Sequence, residues 1–115
     1  MTNKILRKLN YWQKALGLEN YRVVIEKHHK EQVTFEYGKV GGNAVGSSFD
    51  EENGIITIFT TRSLREDDVV HELLHTKYPQ FTHDEIVTET ESLIVSRDSN
   101  YLEGSHYLLS VERAF

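Results

Sequence analysis

The chain has 115 residues and no cysteine, so no disulfide framework and no cysteine zinc finger can hold it together. With 18 acidic and 13 basic residues the net charge is −5, and Lys and Arg are dispersed except between Lys4 and Lys14, which argues against a nucleic-acid partner. A chain of this length is expected to form one domain, residues 1–115, burying about two-thirds of its unfolded surface. The N-terminus lacks a continuous apolar signal segment, and no later run is long enough to span a bilayer, so the expectation is a soluble, cytoplasmic protein with no membrane partner.

In chain order, Ile5, Leu6, Leu9, Trp12, Ala15 and Leu16 recur at helical spacing and predict a backing helix that ends at Gly17. Tyr21 to Glu26 and Val33 to Val40 are rich in β-branched and aromatic residues and read as strands; Gly41-Gly42-Asn43 breaks the second. Ala44 to Phe49 and Ile55 to Thr60 flank a turn containing Asn53-Gly54 and predict a hairpin. Ser63-Leu64-Arg65-Glu66 has the form of a capping box and predicts the start of a helix, which Pro79 stops near Lys77 or Tyr78. A second box, Thr82 to Glu85, opens another helix with Ile86, Val87, Leu93 and Ile94 on its apolar face. The resulting class is α+β: a backing helix, a small twisted sheet of three to four strands, then two helices packed on each other.

The first of those two helices contains His71-Glu72-Leu73-Leu74-His75, an HExxH motif. Side chains four apart lie one turn apart on the same helix face, so both imidazoles can reach a single tetrahedral zinc ion. Glu72 points about a quarter-turn away, where a carboxylate can take a proton from an activated water without being a ligand. Val69, Val70, Leu73 and Leu74 form the apolar stripe, and the two histidines fall near the opposite side, so they are not expected to be core histidines. The bland alternative is a solvated helix with two incidental histidines.

A catalytic zinc usually has three protein ligands, so a third must come from downstream. On the second helix Glu85 projects away from the apolar stripe. Glu91 lies closer to the stripe than Glu89 and is the preferred candidate, ahead of Glu89, His83 or no third protein ligand.

With these residues in view, Val69 to Pro79 followed by Asp84 to Ile94 resembles the gluzincins, the HExxH-plus-glutamate zinc peptidases, and especially their single-domain members, the minigluzincins. The resemblance implies a minimal zincin-like domain in which the HExxH helix is followed by a glutamate helix. It implies His71, His75 and Glu91 as zinc ligands and Glu72 as general base. One departure stands out: many larger gluzincins carry an acidic or amide residue four positions after the ligand glutamate, where this chain has Val95 after Glu91 and Leu93 after Glu89. A metzincin would need Gly and His where Tyr78 and Phe81 stand.

The expected activity is zinc-dependent hydrolysis of peptide bonds in a peptide or protein substrate, with Glu72 moving the proton from water to the leaving amine. Ala44 to Phe49 is the candidate edge strand for pairing with an extended substrate, because Gly46, Ser47 and Ser48 leave room for a second backbone. Arg97, Tyr101, His106 and Tyr107 are candidates for stabilising the oxyanion. The stretch from Asp98 to Phe115 is either a final core element or, as the resemblance implies, a self-inhibitory segment; a homodimer contact through it is a further expectation. The competing function is a non-catalytic zinc-binding interaction domain.

Overall fold

The computed structural model describes residues 3–29 and 44–104, with side chains through Asp98. The elements run α1 (Asn3–Ala15), β1 (Arg22–Lys27), β2 (Val45–Asp50), β3 (Ile55–Thr60), α2 (Glu66–Lys77) and α3 (His83–Gly104). Among the described residues this is an α+β arrangement of three helices and a three-stranded mixed sheet in the order β1-β3-β2. β1 runs parallel to β3 and β2 antiparallel to it. The strand expected over Val33 to Val40 lies outside the described residues.

The helix α1 buries Ile5, Leu9 and Trp12, the stripe its spacing predicts, whereas Leu6 and Ala15 face outward. Its end is a Schellman motif: Leu18 N–H donates to Gln13 O at 2.7 Å and Gly17 N–H to Lys14 O at 3.2 Å. This geometry needs the left-handed φ of +74° at Gly17, which a residue with a Cβ rarely adopts. Gln13 Nε2 then donates to the carbonyls of Leu18 and Tyr21, guiding the chain into β1, which starts one residue later than expected. Tyr21 instead packs its ring edge-on against Phe49, with centroids 5.1 Å apart.

The β2–β3 hairpin forms as its turn chemistry predicts, with Asp50 accepting from both the backbone and the side-chain nitrogen of Asn53, and with Gly54 at φ +67°. Ile56 and Ile58 are fully buried on the helix side.

The start of α2 corrects the capping expectation. The helix begins at Glu66 behind Arg65, not at Ser63, because Asp68 takes the third helical position and accepts the Arg65 N–H at 2.8 Å. Asp68 is itself gripped by both Arg62 guanidinium nitrogens. Glu66 is unavailable as a cap because Trp12, Lys8 and Arg97 bind it. The other end agrees with the sequence: the helix stops at Lys77, before Pro79. The Thr82–Glu85 box is present in both directions, Thr82 N–H to Glu85 Oε1 at 2.8 Å and Glu85 N–H to Thr82 Oγ1 at 3.2 Å. α3 runs unbroken through Asp98 to Gly104.

α2 is the central element, touching α1, α3 and β2. Val69, Val70, Leu73 and Leu74 are fully buried with Ile86 of α3, and the core continues into Trp12, Leu16 and Leu18. Among the described residues each buried polar side chain has a partner: Thr60 Oγ1 donates to Arg62 O, Thr90 Oγ1 to Ile86 O, and Glu72 accepts from Ser47.

Candidate metal centre

The apolar stripe of α2 faces the core and so turns His71 and His75, both half-buried, toward the start of α3. Their Nε2 atoms stand 3.1 Å apart, with ring centroids separated by 4.8 Å. Two nitrogens on one tetrahedral zinc, each about 2.0–2.1 Å from it, stand about 3.3–3.4 Å apart. The pair is therefore already spaced for one ion. Burial, and then the neighbouring His75 and His83, push the His71 imidazole below its ordinary pKa, which favours the neutral form that ligates metal.

His83 completes the group. It is the first residue of α3, held at the helix entry by the Thr82–Glu85 box, and its ring centroid lies 5.1 Å from that of His71. Ligand atoms of His71, His75 and His83 all lie within 4.8 Å of one another, the one such group of three among the described residues. His83 is exposed, whereas His71 and His75 are half-buried.

Glu91 is eight residues beyond His83, about 12 Å along the helix axis, and is exposed. It lines the same cavity of about 380 Å³ as His71 and Glu72, together with Val87, Ile94 and Val95, but it is not in the three-residue cluster. Glu89 is on the other flank of α3, beside Phe81, Asp84 and Thr88.

Glu72 is only 5% exposed. Burial raises its carboxyl above the usual pKa, opposed in part by a hydrogen bond from Ser47. That bond, Ser47 Oγ to Glu72 Oε1 at 2.6 Å, joins β2 to α2. In the sequence Ser47 stands out only as a small residue on a candidate edge strand. Its partner is 25 residues away, beyond the reach of any local pattern.

Arg97, an oxyanion candidate, is instead tied to Glu66 and Asp98 and lies over the Trp12 ring, 5.9 Å from its centroid. It serves as a brace between helices. The side chain of Tyr101 and residues His106 and Tyr107 lie outside the described residues, as does most of the segment expected to be inhibitory.

The chain matches no family model, no curated protein and no solved structure. No described helix is long and apolar enough to cross a membrane.

Proposed function

We propose that this protein is a zinc-dependent hydrolase of peptide bonds, with His71, His75 and His83 as ligands and Glu72 as the group that moves the proton. The observation that carries the reading is the juxtaposition of two histidine Nε2 atoms at 3.1 Å with a buried glutamate on the adjoining helix position. His83 takes the third position in preference to Glu91 because its ligand atom is already within 4.8 Å of the other two. The site then departs from the two-histidine-plus-glutamate pattern of the gluzincins. Glu91 is left as a carboxylate on the wall of the neighbouring cavity.

A bound zinc supplies Lewis acidity, polarising a carbonyl and acidifying a water. The rest of the chemistry belongs to the chain. His71 and His75 offer ring nitrogens from a rigid helix whose opposite face is locked in the core, so little reorganisation is needed to bind. Glu72 takes the proton of the attacking water and returns it to the departing amine, a role suited to a carboxyl whose proton affinity burial has raised. Val87, Ile94 and Val95 give the adjoining cavity an apolar wall that can seat a substrate side chain.

The rival reading, a zinc-stabilised interaction domain without turnover, is separated by Glu72→Gln. In the hydrolase the variant keeps zinc and loses hydrolysis of a fluorogenic peptide library by about a hundredfold or more. Wild-type protein that binds zinc and cleaves no peptide in the library favours the interaction domain.

A further inference from the structure

We propose that Ser47 is the positioning residue for Glu72, an inference that builds on the hydrolase reading above. Along β2, side chains alternate: Val45 and Phe49 pack on the core, while Ser48 and Asp50 are exposed. Ser47 falls on the core-facing side, directly opposite the fully buried Ile58 of β3. That is a position for an apolar residue, and a hydroxyl there costs free energy unless it finds a partner. Its partner is Glu72 Oε1, at 2.6 Å.

The other end of this bond is equally specific. Glu66 and Asp68, the neighbouring carboxylates of α2 that face other elements, are each held by cations, Lys8 and Arg97 on one and Arg62 on the other. Among the described residues Glu72 has no cation. Its one hydrogen bond among the described residues comes from a neutral hydroxyl. An ion pair would fix the charge of a carboxylate, whereas a single hydroxyl fixes its orientation: Oε1 is anchored to the strand and Oε2 is left for proton transfer. A buried glutamate with two rotatable bonds beyond Cβ otherwise has several rotamers open to it, and only some can serve a water beside His71 and His75.

The test uses the full-length protein with carboxyl-¹³C glutamate, with the Glu72 resonance assigned by its loss in Glu72→Gln. Ser47→Ala is expected to displace or broaden that resonance in the metal-free protein, and Ser47→Thr to restore it. In zinc-loaded protein, Ser47→Ala should lower kcat on a fluorogenic peptide about tenfold, the rate equivalent of one hydrogen bond, with KM and bound zinc unchanged. Should Ser47→Ala fail to fold, Ser47→Val against Ser47→Thr makes the same comparison, since these near isosteres differ in the hydroxyl. A Glu72 resonance unmoved in the variants lacking the hydroxyl, or an unchanged kcat at full zinc occupancy, overturns the proposal. If wild type cleaves no peptide yet the resonance moves, the hydrolase reading falls and the positioning of Glu72 by Ser47 stands.

Discussion

The indole Nε1 of Trp12 donates to Glu66 Oε2 across 2.6 Å, joining the last turn of α1 to the first turn of α2. The same carboxylate accepts from Lys8 and from Arg97, so three helices meet on one side chain at the positive end of the α2 dipole. Glu66→Ala strands three donors at once. It should destabilise the protein by about 2 kcal/mol, and Trp12→Phe, which removes the indole donor and also leaves a void beside a core ring, by about 2 kcal/mol as well. Urea midpoints of the two variants and of the double variant check this, because residues sharing one bond should show non-additive losses.

Stability should also depend on pH through Glu66. Burial raises its pKa, but the hydrogen bonds from Arg97, Trp12 and Lys8 outweigh that and hold it below the usual carboxylate range. A depressed folded-state value contributes stability that is fully present above the unfolded pKa of about 4.3 and is lost as pH falls through the folded value. The gap in urea midpoint between wild type and Glu66→Gln should therefore shrink as pH is lowered from 6 toward 3. A gap that widens on acidification would contradict this assignment.

Gly46 lies opposite Phe59 in the hairpin, and a Cβ placed on it would stand 2.5 Å from the ring. Gly46→Ala should cost about 1 kcal/mol, at the low end for overpacking, because the ring is partly exposed and can swing aside. Phe59→Leu should absorb much of that cost. A double-mutant cycle in thermal unfolding reads the coupling, and strict additivity would show that the ring does not meet the new methyl group.

The Thr82–Glu85 box sets the entry of α3 and with it the position of His83. Thr82→Ala should cost about 1 kcal/mol in stability and weaken zinc affinity in titrations against a chromogenic chelator. If stability falls and affinity is unchanged, His83 is not a ligand.

Much of this architecture is legible in the sequence where one local rule governs. The hairpin follows from Asn53-Gly54 between two β-rich runs, the α2 stop from Pro79, and the opening of α3 from Thr82 and Glu85. The apolar stripe of α2 and the outward turn of His71 and His75 follow from helical periodicity. What is not legible depends on partners distant in the chain. Ser63 looks like a cap until Glu66 is seen to be claimed by Trp12 and Arg97, 54 and 31 residues away. Arg97 is a brace for the same reason. The angular position of Glu91 relative to the apolar stripe favours it as a ligand, yet a helix wheel carries no information on height along the axis. The three-histidine group lies at the first turn of α3, where His83 stands, and Glu91 is two turns further on, on the cavity it shares with His71 and Glu72. The bond between Ser47 and Glu72 has no sequence signal beyond a polar residue where β2 alternation asks for an apolar one.

The most direct measurement is elemental analysis of bound metal in wild type, His71→Ala, His83→Ala and Glu91→Ala, purified identically and reconstituted with zinc. The account predicts stoichiometric zinc in wild type and in Glu91→Ala, with zinc lost in His71→Ala and His83→Ala. Zinc lost in Glu91→Ala and kept in His83→Ala would return the third ligand to the glutamate, and wild-type protein that holds no zinc after reconstitution would contradict the metal centre itself.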